Sequence, residues 1–312
     1  MQSPSVLITG AGGFVGGHLV TELRKEWIES NIIALDTNIE SMPDSVTKYA
    51  SDISKPETYI DVLKSEKPDW IIHLAAVSSV GFAIDHPEIT RTVNVVGTEK
   101  LLGHVREISP HTKVLVVSSA DIYGHGDSVP IAEKALADCH PANPYAQSKL
   151  EMEQIIEKDY SDMCIRVRPF PHIGPNQKKG FVTADFASQI AGIEAGKQDS
   201  VISVGNLTAI RDFTDVRDVV RAYRLLMEYG ETGQVYNVAS GKGTSIQVIL
   251  DNLLAQSSAK VTVRQDPLKM RPSDNPVMIG DASRLTEKTG WRSVILLEQS
   301  LEDILTYWRN SI

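Results

Sequence analysis

Short apolar runs rich in Val and Ile alternate with longer helical patterns in the first half of the chain. Such runs are typical of parallel strands that are buried on both faces. The predicted strands are Val6–Thr9, Ile32–Leu35, Trp70–Leu74, Lys113–Val117 and Cys164–Val167. The predicted helices between them are Phe14–Trp27, Pro56–Glu66, Pro87–Glu107 and Pro144–Asp159. Three of these helices begin with proline, which the first helical turn accepts. The alternation predicts an α/β fold with a Rossmann-type, doubly wound parallel sheet.

The pattern loosens after residue 170, where proline and glycine cluster between residues 169 and 176. Later helices are predicted at Ala184–Ala195, Val216–Tyr229, Ile246–Gln256 and Leu297–Arg309, with short strands among them. We therefore expect residues 1–170 to form an NAD(P)-binding domain. Residues 171–312 should form mainly a smaller C-terminal α/β lobe that binds the substrate, with some later segments returning to the first domain.

The composition is that of an ordinary soluble globular protein. The 312 residues are 42% hydrophobic and 23% charged, and the net charge is −9. Because no basic block stands out, we expect neither nucleic-acid binding nor a cationic membrane patch. The most apolar stretch, Trp70 to Ile84, is too short and too polar to span a bilayer.

The cysteines and histidines bear on the cellular location and on metal binding. The two cysteines, Cys139 and Cys164, suggest reduced thiols rather than a disulfide framework, and no signal peptide is evident, so we expect a cytoplasmic protein. Neither His73 nor His172 has metal-ligand spacing to other candidate ligands, so no metal is expected. His73 is expected to be a packed structural residue. For His172, a place in the substrate pocket and a loop-stabilising role are both open.

Glycines punctuate the turn between the first predicted strand and the first predicted helix. Gly10, Gly13 and Gly16 form a GxxGxxG pattern that also contains Phe14 and Val15. Glycine is needed where the backbone turns tightly and approaches a pyrophosphate at a helix N-terminus. We therefore predict dinucleotide binding by this loop.

An acid ends the second predicted strand. Asp36 follows Gly16 by twenty residues, and a carboxylate there accepts bonds from ribose hydroxyls and repels a 2′-phosphate. Asp36 therefore favours NAD(H) over NADP(H). Asp52 and Ile53 follow another possible short strand and are candidate adenine contacts. A helix-capping role ahead of Pro56 is equally open for Asp52.

Tyr145 and Lys149 are four residues apart in a predicted helix, so they share one helix face. A lysine ammonium beside a phenol lowers the phenol pKa by stabilising the phenolate. Ser119 follows the strand Lys113–Val117, at the sheet edge where open α/β sheets bind ligands; helix capping is the alternative for this serine. We predict that Ser119, Tyr145 and Lys149 catalyse hydride exchange between a nicotinamide and a carbonyl or carbinol carbon.

These motifs together resemble the extended short-chain dehydrogenase/reductases, the nucleotide-sugar epimerase/dehydratase superfamily. The matching pieces are Gly10 to Gly16, His73-Leu74-Ala75-Ala76, Asn94 within Val93–Thr98, Ser118-Ser119 with Tyr123-Gly124, and Tyr145 to Lys149. The resemblance covers essentially the whole chain. It implies further coenzyme contacts from Leu74, Ala75, Ala76, Asn94 and Val117. It also implies a homodimer in which helices of residues 87–107 and 144–159 form a four-helix bundle.

Motifs in the second half resemble the GDP-mannose branch, and most of all the GDP-4-keto-6-deoxy-D-mannose reductases, which make GDP-rhamnose. These motifs are His172-Ile173-Gly174-Pro175, Gly180–Thr183, Gly205-Asn206-Leu207, Arg211–Asp218 and Arg271–Asp274. By this resemblance Arg211 and Arg271 bind the diphosphate of a GDP-sugar, which suits the guanidinium fork; surface ion pairs are the alternative. The resemblance implies further substrate contacts from Ser119, Asp121, His172, Phe181 and Val182, although a core role is open for the last two.

The strand end Ser119-Ala120-Asp121 argues against a 4,6-dehydratase. By the resemblance, dehydratases of this branch carry a glutamate at the third position that removes the C5 proton. Asp121 is one methylene shorter, and a misplaced base loses large factors in rate. The reductases resemble this chain in having Ser, a small residue and Asp. The sequence therefore predicts NAD(P)H-dependent reduction of the 4-keto group of a GDP-4-keto-6-deoxyhexose.

The chain departs from the reductase pattern at two residues, and these departures leave alternatives open. Reductases often use NADPH, so Asp36 makes a redox-neutral 4-epimerase with tightly bound NAD the main alternative. Pro171 stands where the family usually has a substrate-binding asparagine, so the sugar or its pose can differ. A non-catalytic dinucleotide sensor has no need of Ser119, Tyr145 and Lys149 together.

Overall fold

A seven-stranded parallel sheet forms the centre of the protein. The computed structural model describes residues 3–40, 42–125, 129–269 and 275–312. Its strands are β1 (Val6–Thr9), β2 (Ile32–Asp36), β3 (Thr47–Ala50), β4 (Trp70–His73), β5 (Lys113–Val117), β6 (Cys164–Pro169), β7 (His172–Ile173), β8 (Val201–Val204), β9 (Ile210–Asp212), β10 (Thr214–Asp215), β11 (Val235–Val238), β12 (Gly243–Ser245), β13 (Thr262–Gln265) and β14 (Val277–Met278). The large sheet has the order β11-β6-β5-β4-β1-β2-β3. Because the winding reverses between β1 and β4, the crevice at their carboxyl ends is the expected ligand site.

Helices cover both faces of this sheet and build a second core beside it. The α-helices are α1 (Phe14–Glu26), α2 (Ile60–Glu66), α3 (Val80–Asp85), α4 (Pro87–Arg91), α5 (Thr98–Ile108), α6 (Pro144–Asp159), α7 (Val182–Glu194), α8 (Val216–Tyr229), α9 (Ile246–Ala255), α10 (Ser283–Thr289) and α11 (Leu297–Ser311). Short 3₁₀ segments lie at Pro56–Thr58, Ala120–Tyr123, Leu136–Asp138 and Pro267–Lys269, and a π-helical segment lies at Thr92–Gly97.

Successive strand residues point to opposite faces of the sheet and enter two separate cores. Ile8 packs with α1 and α8 on one face, whereas Leu7 packs with α2 and α5 on the other. Both side chains are fully buried. This two-sided burial explains why the central strands are continuous apolar runs instead of alternating ones.

The second half contributes to both parts of the molecule. β11 pairs in parallel with β6 at the edge of the large sheet, and α8 packs against α1. Helices α7, α9 and α11 form a separate apolar core that includes Phe186, Ile249 and Leu301. This core borders the carboxyl edge of the sheet through the short pairing of β7 with β10.

The predicted fold class is confirmed, and the five predicted strands are present with ends that differ by at most two residues. The predicted helix Pro87–Glu107 is divided by the π-helical segment Thr92–Gly97. The helix α3 was not predicted; Ser79 caps it by accepting a bond from the Phe82 amide at 3.2 Å.

Among the residues that the model describes, none of the helices is both long and apolar enough to cross a membrane.

Candidate active site

The turn between β1 and α1 requires glycine at several positions. Gly10 has a φ of +70°, and a Cβ atom there would lie 2.6 Å from the Ala75 amide nitrogen. A Cβ at Gly16 would lie 2.1 Å from the Ala11 carbonyl oxygen. Helix α1 starts at N-cap Gly13 without a side-chain cap, so its first amides can bind an anion. This arrangement fits a pyrophosphate.

Asp36 ends β2 and fixes the glycine turn. Its carboxylate accepts a hydrogen bond from the Gly12 amide at 3.0 Å and another from the Asn38 amide at 2.9 Å. The side chain also borders the cleft. A negative charge is therefore held next to the turn, where the ribose of a dinucleotide would lie.

Asp52 stabilises a turn, and its predicted adenine contact stays a prediction. Its carboxylate accepts bonds from the Ser54 amide at 3.0 Å and the Ser54 hydroxyl at 2.7 Å, and these bonds lower the pKa of Asp52. Asp52 and Ile53 both border the cleft. Asp52 therefore stabilises the turn before Pro56 and remains accessible to a ligand.

A cleft of about 1010 Å³ lies at the carboxyl edge of the sheet, and most of the predicted site residues border it. On the coenzyme side these are Gly10, Gly13, Phe14, Val15, Asp36, Asp52, Ile53, Leu74, Ala75, Ala76, Val117, Tyr145 and Lys149. On the substrate side they are Ser119, Asp121, His172, Phe181, Val182 and Arg211. Gly16 and Asn94 do not line the cleft, and their contact with the coenzyme stays a prediction. Arg271 lies outside the described residues.

Asn94 instead positions other parts of the site. It is fully buried in the π-helical segment, and its Nδ2 donates to Ser148 Oγ at 2.9 Å and to the Val77 carbonyl at 3.1 Å. Its Oδ1 accepts from the Val77 amide at 2.8 Å. Because Ser148 lies between Tyr145 and Lys149 on α6, Asn94 ties this helix to the loop after β4.

Tyr145 is buried beside two residues from the end of β5. Its pKa is raised, first because burial disfavours the phenolate and then because the Asp121 carboxylate is nearby; a hydrogen bond with the Ser119 side chain partly opposes this shift. The phenol is protonated at neutral pH, as an unshifted tyrosine also is. Its hydroxyl and that of Ser119 could therefore both bond one oxygen of a bound ligand.

Lys149 does not have the predicted effect on the pKa of Tyr145. Its Nζ donates to the Val117 carbonyl at 2.7 Å, and burial lowers the pKa of Lys149 itself to about 8. The expected lowering of the Tyr145 pKa is not found, since burial and Asp121 raise it. The physical reason is that the same buried environment disfavours both the ammonium and the phenolate.

His73 is a structural residue, as expected. Its Nδ1 lies 2.7 Å from Thr9 Oγ1 and its Nε2 lies 2.8 Å from Thr98 Oγ1. Burial lowers the pKa of His73 to about 3, so the ring is neutral. Among the described residues, no group of three or more His, Cys, Asp or Glu side chains could hold a metal ion.

The substrate side consists of side chains from several separate segments. His172 stacks on Phe14 with ring centroids 6.0 Å apart, and burial lowers its pKa. Phe181 is 39% exposed, which favours ligand contact over its alternative core role. Arg211 borders the cleft next to the fully buried Asp212, whose carboxylate accepts amide bonds from Ser240, Gly241 and Gly280.

Sequence reasoning missed several cleft residues. Tyr223 on α8 borders the cleft, but its position is that of an ordinary apolar residue on an amphipathic helix. Gln177 is buried and donates to the His172 carbonyl at 3.0 Å, which fixes the loop. Ser118 belonged to a recognised motif without an assigned role; its hydroxyl and that of Tyr223 are buried without hydrogen-bond partners in the described part of the chain.

Comparisons with known proteins agree with this geometry. A family model described as GDP-mannose 4,6 dehydratase matches residues 7–304. The chain is 36% identical over 312 residues to a GDP-6-deoxy-D-mannose reductase of Pseudomonas aeruginosa, with 98% of each chain covered. It is 32% identical over 291 residues to a GDP-6-deoxy-D-talose 4-dehydrogenase of Aggregatibacter actinomycetemcomitans, with 91% of each covered.

A solved structure extends the likeness to three dimensions. The structure of RMD from Pseudomonas aeruginosa complexed with NADPH matches with a TM-score of 0.87 and 34% identity, over 99% of this chain and 100% of that one.

Proposed function

Because this chain belongs to the family described as GDP-mannose 4,6 dehydratase, we propose that it is an NAD(P)H-dependent reductase of that family. Its substrate is a GDP-4-keto-6-deoxyhexose, and its product is a GDP-rhamnose-type sugar. The observation that carries this proposal is that Tyr145 lies beside Ser119 at the wall of the cleft, which the glycine turn also lines.

The chemistry follows from the side chains at the end of β5. When bound, the coenzyme supplies the hydride that C4 of the sugar accepts. Tyr145 donates a proton to the C4 oxygen, and Ser119 holds that oxygen in place. Lys149, fixed by the Val117 carbonyl, contributes positive charge near the ribose of the coenzyme. The Asp121 carboxylate is close enough to Tyr145 to raise its pKa.

The same strand end disfavours dehydration. Ala120 is buried and has no ionisable group, and Asp121 borders the cleft with a shorter side chain than glutamate. These features favour reduction at C4 over proton removal from C5.

Residues of the second half would bind the nucleotide sugar. Arg211 borders the cleft, and its guanidinium fork would bind the diphosphate; Arg271 keeps this role as a hypothesis from the sequence. His172, Phe181 and Val182 border the same side of the cleft. Their positions support a two-part organisation, in which residues 1–170 bind the coenzyme and residues 171–312 mainly bind the sugar.

Asp36 supports a preference for NADH. The carboxylate borders the cleft at the end of β2 and would repel a 2′-phosphate, although the Pseudomonas relative was solved with NADPH. An Asp36→Ser variant should improve the ratio of NADPH to NADH efficiency by roughly tenfold. Parallel kinetics with both coenzymes would measure it, and an unchanged ratio would remove Asp36 as the determinant.

A homodimer is the proposed assembly. Phe82, Ile84 and Ile89 are apolar side chains that are 41%, 56% and 51% exposed, and they lie on helices α3 and α4 beside α6. Light scattering should give about twice the chain mass of 34.2 kDa, and an Ile89→Glu variant should lower it. A monomeric wild type would contradict this assembly. We also propose a cytoplasmic location, with Cys139 and Cys164 as buried thiols.

The reaction itself can be followed by the absorbance of the reduced nicotinamide. Purified protein is mixed with GDP-4-keto-6-deoxy-D-mannose and either NADH or NADPH. The proposal predicts loss of the band with at least one coenzyme and no 4-keto product from GDP-mannose. Stable absorbance with both coenzymes would overturn the reductase assignment for this sugar and favour a redox-neutral 4-epimerase.

A further inference from the structure

Tyr223 carries a buried hydroxyl without an explained purpose. The residue lies on α8 and is fully buried, and it is one of the residues that line the cleft. Its hydroxyl has no hydrogen-bond partner in the described part of the chain. An unpaired buried hydroxyl costs about 1–3 kcal/mol. A polar group that is unsatisfied at the wall of a cleft points to a ligand group that pairs with it.

The surroundings of Tyr223 belong to the coenzyme side of the cleft. The ring shares an apolar cluster with Phe14 of the glycine turn, Leu74 after β4 and Val117 at the end of β5. All three of these residues also border the cleft. An ionised Tyr145 would raise the pKa of Tyr223, so the two phenols are close in this buried region. The Tyr223 hydroxyl therefore lies near Tyr145.

The chemistry of the nicotinamide end matches this position. A nicotinamide ring has apolar faces that suit Phe14 and Val117, and its carboxamide is the one group on the ring that exchanges ordinary hydrogen bonds. The sugar oxygen already has Ser119 and Tyr145 as partners. We infer that the Tyr223 hydroxyl is a hydrogen-bonding partner of the nicotinamide carboxamide and a positioning residue that sets the rotation of the ring. This inference rests on the proposed coenzyme.

The test compares two conservative variants. Tyr223→Phe removes the hydroxyl at the cleft, whereas the control Tyr59→Phe removes another buried, unpartnered hydroxyl that does not border the cleft. Calorimetry would measure the Kd of each variant for the reduced coenzyme and for ADP-ribose, which lacks the nicotinamide. Thermal unfolding without ligand would show whether both variants keep the stability of the wild type.

We expect Tyr223→Phe to weaken coenzyme binding by roughly threefold to tenfold and to leave the Kd for ADP-ribose unchanged. Tyr59→Phe should change neither value. An unchanged coenzyme Kd in Tyr223→Phe, or equal weakening of coenzyme and ADP-ribose, would overturn the role of Tyr223 while leaving the reductase proposal intact. A wild type that binds ADP-ribose and coenzyme equally would also overturn it, and one that binds neither would overturn the proposed function as well.

Discussion

The two sides of the cleft are formed by different parts of the chain: backbone groups on one side and side chains on the other. The coenzyme side is mainly backbone: the turn at Gly10, the uncapped amides of α1 and the loop after β4. The substrate side consists of side chains such as His172, Phe181 and Arg211 from separate segments. A backbone site depends on the conformation of a few adjacent residues, whereas a side-chain site depends on how the second core packs. Substrate choice can therefore change while coenzyme chemistry is kept.

The largest effect should come from Tyr145, where the two sides meet. Tyr145→Phe removes the proton donor and should lower kcat by about 10²–10⁴-fold. Coenzyme binding should persist, because the glycine turn is untouched. Steady-state rates and coenzyme titration would check both parts, with Tyr59→Phe as the control for losing a buried hydroxyl. A variant that keeps near-normal kcat would refute the role of Tyr145 as proton donor.

One methyl group added at Gly10 tests whether the coenzyme side depends on its backbone conformation. Gly10→Ala combines a left-handed residue with overlap at the Ala75 backbone, so the free energy of unfolding should fall by about 2 kcal/mol or more. Coenzyme binding should be lost as well.

Gly17→Ala in α1 is the matched control, since nothing lies within 4 Å of its added Cβ. It should raise the free energy of unfolding by up to about 1 kcal/mol. Urea unfolding of both variants makes the comparison, and equal effects would show that the turn does not depend on glycine at residue 10.

A substitution on the substrate side should weaken binding of the sugar and leave binding of the coenzyme unchanged. Arg211→Ala should raise the KM for the GDP-sugar by roughly tenfold to a hundredfold, because bonds to charged groups are worth about 1.5–3 kcal/mol. The KM for the coenzyme should stay unchanged. Arg264→Ala, at an exposed arginine of β13 outside the cleft, is the control. Equal increases in both KM values for Arg211→Ala would contradict the separation of the two sides.

The smallest expected effect concerns the buried charge of Lys149. Its folded-state pKa of about 8 lies below the ordinary 10.5, so the unfolded chain binds more protons between these pH values. The free energy of unfolding therefore rises with pH across this window, and the buried ammonium is most destabilising below pH 8. Lys149→Met removes this charge.

Relative to the wild type, the stability of Lys149→Met should fall by about 1–3 kcal/mol as the pH rises from about 7 to about 10. Urea unfolding at both pH values gives the difference. If the gap between the two proteins stays constant, Lys149 does not titrate in this range.

The contrast between the two sides also explains how much the sequence could predict. The glycine turn, Asp36 and the pair Tyr145 and Lys149 are local motifs, so their place in the cleft was predictable. Tyr223 was missed because its spacing on α8 equals that of a core residue, and only the packing of α8 beneath β5 brings it to the cleft. The raised pKa of Tyr145 was also not predictable from local motifs, because it depends on burial and on the distance to Asp121.

Asn94 teaches a related point. The motif around it was recognised, but the π-helical turn that points its amide toward Ser148 and Val77 depends on contacts between distant segments. These bonds hold α6 against the loop after β4, which spacing alone does not reveal.

The most direct measurement of the central claim is the stoichiometry of a single reaction. GDP-4-keto-6-deoxy-D-mannose is incubated with limiting NADH or NADPH, the oxidised coenzyme is measured by absorbance, and the sugar product is quantified by anion-exchange chromatography. The proposed reductase should form one 4-hydroxy product for each coenzyme molecule oxidised. Product that forms without net oxidation of the coenzyme would contradict the reductase and identify a redox-neutral epimerase.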